Sequence, residues 1–235
     1  MIRKSALAAL AFVGAGIPNL SVAAADEVIV TAMRREADDY AADRPAVGLA
    51  KRADFAVQPV TISGDTRDRE QRASEIYAML GNAVTQAERD GLALGYGDSM
   101  VIPLTRANLG QLLLKNGNRP DTQQVTILVK VPLTGGIEGQ GVEKRVAAFL
   151  KAVKPVGRAL IEADGELTLS VVDPDQYRPS ITAAIAADAR AAAGSFGPDY
   201  AVEAEGLNHR VEWARDGLTG VFLYIPYKLT VVSKR

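Results

Sequence analysis

The chain predicts an α+β fold in which antiparallel sheets pack with two to three long amphipathic helices, and three observations carry that expectation. Val125, Ile127, Val129 and Val131 alternate with other residues, as do Leu167, Leu169 and Val171, the period of strands buried on one face. Ala73 to Ala87 and Val142 to Val153 instead repeat apolar residues at three- and four-residue steps, the period of helices with one buried stripe. Asp216-Gly217, a hairpin turn pair, separates two strand-like stretches near the end.

The first element is an export leader over residues 1–25. Arg3 and Lys4 precede an apolar run from about Ala6 to Ile17, and Pro18 and small residues lead to Ala23-Ala24-Ala25, where cleavage is expected. The run falls short of the about 20 residues that span a bilayer, and no later stretch replaces it, so the mature chain is expected to be soluble and periplasmic. With Cys 0 there is no lipid-carrying cysteine, disulfide or thiolate. Losing Arg3 and Lys4 with the leader leaves 25 of 27 basic residues against 28 acidic ones, a net charge near −3, which argues against nucleic acid as a partner. With 48% hydrophobic residues the chain can bury a substantial core.

Residues 26–36 follow as an extended segment, because Val28, Ile29, Val30 and Thr31 are β-branched in succession. Val28 and Val30 would share one face, and Ile29 and Thr31 the other. Residues 37–52 are charged, Ala-rich, interrupted by Arg44-Pro45 and Gly48, and read as a tether. About 16 flexible residues reach roughly 20–25 Å. The body then covers residues 53–235. Phe55, Val57, Val60 and Ile62 predict a strand interrupted by Pro59 and ended by Gly64-Asp65. The helix after it presents Ala73, Ile76, Tyr77, Leu80, Val84 and Ala87 on one stripe, with Asp65, Thr66 or Asp68 as cap and Gly91 as stop.

Met100-Val101-Ile102 and Leu112-Leu113-Leu114 are short strand candidates, and the turn-rich residues 115–121 lead into the Val125–Val131 strand. After a loop at 133–141, Val142, Val146, Phe149, Leu150 and Val153 form a helix that yields or kinks at Pro155. The Leu167–Val171 strand follows the Asp164-Gly165 turn. Asp173-Pro174-Asp175-Gln176 reads as a helix start with a capping box, unless Pro179 delays the helix by a turn. Ile181, Ala184, Ile185, Asp188, Ala189 and Ala192 continue it. Val202 to Trp213 and Thr219 to Val232 close the chain as two long strands. Their aromatic residues Trp213, Phe222, Tyr224 and Tyr227 suit core or, at a Pro226-marked edge, a subunit interface.

Two resemblances add to this reading. Asp26-Glu27-Val28-Ile29-Val30-Thr31-Ala32-Met33-Arg34-Arg35-Glu36 resembles the TonB box of outer-membrane TonB-dependent receptors. It implies capture by the TonB C-terminal domain through strand addition, with Glu27, Val28, Ile29, Val30, Thr31, Ala32, Arg34 and Arg35 as partner-binding residues. The chain has too few residues for a receptor barrel. Ala53-Asp54-Phe55-Ala56-Val57 and Ala184-Ile185-Ala186-Ala187-Asp188-Ala189-Arg190 resemble the SIMPL-domain family of bacterial periplasmic proteins. That implies an α+β body, homo-oligomers of ring or channel type, and roles in the cell envelope or in oxidative stress. The stretch from Gly95 to Gly141 departs from the family by lacking its usual Gly-Tyr and small-polar strand pattern.

Chemistry-bearing motifs are sparse. His209, the single histidine, falls in a predicted strand without a cysteine or second histidine to make a zinc set. Asp173 and Asp175 lack the further oxygens of a hard-cation site, and the 135–141 glycine run lacks the Gly-Lys-Ser/Thr of a phosphate loop. No catalytic, cofactor or metal residue is expected. The reading is a non-enzymatic cell-envelope protein of the periplasm that self-assembles and is engaged by TonB. The alternative is a periplasmic module that binds a small molecule or answers envelope or oxidative stress, and it predicts a concave pocket near His209 or the glycine run.

Overall fold

The structure is a computed structural model that describes residues 26–30, 45–98, 100–137 and 139–234. The leader, the partner-binding candidates Thr31, Ala32, Arg34 and Arg35, and the first half of the expected tether, residues 37–44, lie outside the described residues. The elements in chain order are β1 (Glu27–Val30), β2 (Leu49–Arg52), β3 (Phe55–Gly64), α1 (Arg69–Asp90), β4 (Ala93–Tyr96), β5 (Ile102–Pro103), β6 (Lys115–Asn116), β7 (Gln123–Pro132), α2 (Gly139–Ala152), β8 (Leu160–Ala163), β9 (Thr168–Val172), α3 (Arg178–Phe196), β10 (Tyr200–Glu205), β11 (Glu212–Asp216), β12 (Gly220–Tyr224) and β13 (Lys228–Ser233). Among the described residues the fold is mixed, strand-rich and built from antiparallel sheets with three α-helices. No described helix is long and apolar enough to cross a membrane.

The main sheet runs β1-β9-β3-β7-β4-β5, with β8 beside the second half of β3 and β6 beside the start of β7. One face meets the helices. Val60 and Ile62 of β3, Ile127, Val129 and Val131 of β7, and Leu169 and Val171 of β9 are all fully buried there, packed with Ile76 and Leu80 of α1 and Phe149 of α2. The sheet then curls. Val28 of β1 bridges Met100, and Val101 N–H donates to the Glu27 carbonyl at 2.9 Å, so the segment entering β5 returns to β1 and closes one end of the sheet into a small barrel. At the other end β3 leaves β9 for β8, and the barrel splays open.

The helix predictions hold closely. Asp68 caps α1 by accepting from Gln71 N–H at 2.7 Å, and Gly91 ends it at φ 64°. α2 stops three residues before Pro155. Pro179 does delay the third helix: a 3₁₀ turn at Pro174–Tyr177 comes first, then α3. The expected capping box is not made, because Asp173 has φ 45° and no side-chain capping bond. Asp175 instead accepts from Val211 N–H at 3.1 Å.

Several strand expectations are corrected. Pro59 does not interrupt β3, which pairs with β7 through ten consecutive residues. Its carbonyl accepts from Asp164 N–H, so its absent N–H faces the same side, at the gap where β9 gives way to β8 and no ladder bond is lost. Met100 and Val101 precede β5 rather than form a strand, and Leu112 to Leu114 follow a 3₁₀ turn at Leu109–Gln111 as irregular chain. Leu49–Arg52, read as the end of the tether, is β2, which pairs with β12. The two long terminal strands are each broken: β11 pairs with β12 around Asp216-Gly217, and β10 pairs with β13 further out. Gly206 at φ 89° and Pro226 cause the break, since a Cβ at Gly206 would sit 2.7 Å from the Pro226 carbonyl oxygen and Pro226 offers no N–H. On β12 the buried side chains are Val221 and Leu223, with Ile225 just beyond, while Phe222 and Tyr224 stack on the opposite, half-buried face with centroids 6.0 Å apart.

Candidate functional site: a barrel mouth behind the N-terminal strand

Alternation in each strand sends a second set of side chains into the barrel. These are Glu27 and Ile29 from β1, Phe55 and Val57 from β3, Leu128 and Lys130 from β7, and Ser170 from β9, joined by Val101. Small residues on β4 make the room. A Cβ at Gly95 would lie 2.6 Å from Val101 Cγ1, so glycine there lets Val101 enter.

At the closed end the barrel buries charge. Lys130 and Glu27 are 5% and 7% exposed, and Lys130 Nζ donates to Glu27 Oε2. Ser170 Oγ donates to Glu27 Oε1 at 2.6 Å, and the ammonium lies 4.2 Å from the Phe55 ring centroid, within cation–π range. Both charges are thereby compensated, the condition under which a buried pair persists. Asp54 ties the same end, its Oδ2 accepting from Val172 N–H at 2.9 Å and its Oδ1 from Lys51 Nζ at 2.9 Å.

One layer outward, the splayed end forms a cavity of about 530 Å³. Its inner wall is Ile29, Pro59 and Leu128, with the hydroxyl-bearing Thr126 and Thr168 beside them. Tyr96 to Asp98, Gln111 to Leu113 and Lys115 make the rim, where Leu113 is 83% exposed. The volume is within the ~300–1,000 Å³ of small-molecule sites, which often occupy barrel mouths. Apolar walls with a few hydroxyls suit an uncharged or weakly polar molecule. The full charges stay at the rim, on Asp98 and Lys115, or are paired in the layer beneath.

The partner-binding candidates divide here. Glu27, Val28 and Ile29 are built into the barrel wall through β9, in the register Glu27 with Val172 and Ile29 with Ser170, and Val30 pairs with Leu169. Both edges of β1 are engaged, one by β9 and one by Met100 and Val101. His209 is exposed in a turn, not a strand, and its carbonyl accepts from Arg178. The glycine run turns the chain at Gly135 and Gly136, φ 67° and 80°, and the Ile137 carbonyl accepts from Arg52. Among the described residues no three of the His, Asp and Glu side chains converge as a metal set. Neither His209 nor the glycine run lines the cavity at the barrel mouth. Lys130 and Ser170 escaped the sequence reading, although a lysine within Val125–Val131 and a serine between Leu169 and Val171 both break the apolar pattern on the second face of their strands.

No protein-family model, curated protein or solved structure matches the chain.

Proposed function

We propose that this chain is a non-enzymatic, exported cell-envelope protein that holds a small apolar molecule in the barrel mouth. The observation that carries the reading is the cavity itself: about 530 Å³, walled by Ile29, Pro59 and Leu128, with threonine hydroxyls in place of charged groups on its inner wall. The leader-like first 25 residues and the SIMPL resemblance of Ala53–Val57 and Ala184–Arg190 support an envelope role. The test is titration with the uncharged fluorophore N-phenyl-1-naphthylamine. Saturable one-to-one binding, weakened at least tenfold by Thr126→Trp at an exposed wall position, is expected. Binding that is absent, or unchanged by Thr126→Trp, would overturn the reading.

A second reading is a self-assembling protein engaged by the TonB C-terminal domain through Asp26 to Arg35. It is favoured by the extended conformation of Glu27–Val30, which strand addition requires. Exposed Phe196 and Tyr200, with ring centroids 6.2 Å apart, offer a second copy an apolar surface. Because both edges of β1 are already paired, TonB would have to displace either β9 or the Met100–Val101 segment from it. Titrating the TonB domain into the mature chain with and without residues 26–35 decides it: binding lost on deletion supports this reading, and no binding in either form removes it.

A further inference from the structure

A second cavity, of about 460 Å³, opens at the splayed end of the sheet between the start of α1 and the loop from β6 to β7. Three guanidinium groups line it: Arg69, Arg72 and Arg119. Arg72 is the unusual one. It is 5% exposed, yet no carboxylate lies within ion-pair distance among the described residues. Its Nε donates to Gln123 Oε1 at 3.1 Å and its Nη1 to the Thr66 carbonyl at 2.6 Å, both neutral acceptors, while Nη2 has no partner among the described residues.

The acids nearest to Arg72 in the chain form their hydrogen bonds with other groups. Glu75 accepts from Thr66 Oγ1 at 2.6 Å, Gln71 Nε2 at 3.0 Å and Arg158 N–H at 3.2 Å. Asp68 caps the helix. Asp65, which feels the Arg119 charge, is held twice by Arg158, at 2.7 and 2.9 Å. A buried cation bonded to no carboxylate is costly, and the Nη2 amino group left over can donate a charge-assisted hydrogen bond to an oxyanion.

We infer that this cavity is a site for a phosphate-type oxyanion, bound by Arg72 from within and by Arg119 and Arg69 from the rim. Three cations against the single acid in the lining, Asp121, leave a surplus of about two positive charges. That matches the ≈ −1.5 to −2 of a phosphate monoester at neutral pH better than the single charge of a carboxylate. Asn116 and Asn118 add neutral side-chain donors around the rim. The phosphate could be free in solution or the headgroup of a lipid.

Amide chemical shifts of the ¹⁵N-labelled full mature chain, titrated with inorganic phosphate and separately with acetate, test the site. Saturable shifts at residues 116–122 are expected with phosphate, at least tenfold weaker with acetate. Arg119→Ala, at an exposed position, should weaken binding at least threefold, and Arg72→Gln at least tenfold. Vesicles containing phosphatidic acid form the second arm: Arg119-dependent capture by them without a response to inorganic phosphate assigns the same chemistry to a lipid headgroup. No saturable response in either arm, equal response to acetate, or binding indifferent to Arg119→Ala would overturn the proposal. If Arg72→Gln fails to fold, Arg119→Ala and the acetate comparison still decide.

Discussion

Removing the Lys130 ammonium while keeping its apolar stem, as in Lys130→Met, asks how firmly β1 is held. The change leaves the Glu27 carboxylate 7% exposed with one remaining donor, Ser170 Oγ at 2.6 Å. An uncompensated buried charge costs about 3–5 kcal/mol. Glu27, however, sits on a terminal strand with an escape. Docking β1 gains about 1.5–3 kcal/mol from burying Val28 and about 1 kcal/mol per ladder bond, against about 1–2 kcal/mol for ordering each residue. The net is a few kcal/mol at most, so undocking β1 is cheaper than leaving the charge buried. Lys130→Met should therefore lose amide protection at Val28 to Val30 with a capped loss of global stability. Glu27→Gln is the opposite case. Lys130 stands on β7, flanked by β3 and β4, and cannot leave without unfolding the sheet. The full penalty of about 3–5 kcal/mol should appear, a Tm drop of about 6–20 °C at roughly 2–4 °C per kcal/mol. Urea unfolding with hydrogen exchange separates the two. The reasoning fails if Lys130→Met costs more global stability than Glu27→Gln, or if both lie within about 1 kcal/mol of wild type.

Two further expectations rest on the opposite end of the molecule. Gly157 has φ 53°, and a Cβ there would fall on the Glu75 carboxylate, so Gly157→Ala should destabilise by about 1–3 kcal/mol in urea unfolding; a change below about 0.5 kcal/mol would contradict the geometry. The Asp65 carboxyl is held below its ordinary range by hydrogen bonds from Arg158, and that of Glu75 by the Thr66 hydroxyl and Arg158 N–H. Both therefore add stability that is present above their unfolded values, about 4, and lost as pH falls through the folded ones. A melting series from pH 7 to 3 should show a shallower acid limb in Arg158→Gln than in wild type, and an identical limb would count against this assignment.

What could be read from the sequence was whatever obeys local periodicity. The stripe from Ala73 to Ala87 and the alternation from Val125 to Val131 gave α1 and the helix-facing side of β7, because a buried face imposes its period directly. The barrel interior was hidden for a converse reason. Glu27, Lys130 and Ser170 are polar residues on strands whose other face carries the apolar signal, and only the pairing of β1 with β9 brings them together. Pro59 misled because its tolerance depends on where β8 and β9 part, which no window around residue 59 contains. Arg72 sits among ordinary polar residues of a helix, and it is buried against Gly64, Thr66 and the distant Gln123, the last of which no local pattern brings to it.

The pairing of β1 with β9 also sets an order of events. Glu27 and Ser170 are 143 residues apart in the chain. At synthesis rates of about 5–20 residues per second, β9 exists only roughly 7–30 s after β1 has been made. Throughout that interval Val28-Ile29-Val30 is an unpaired β-branched edge of the kind that aggregates, and Arg34 and Arg35 follow it in the sequence as charged gatekeepers. The barrel is thus a late structure. Its helix-covered face can form from β3, α1 and β7 as each arrives, while the mouth and its buried ion pair come into being only when the first strand of the chain finds one of the last strands of the sheet.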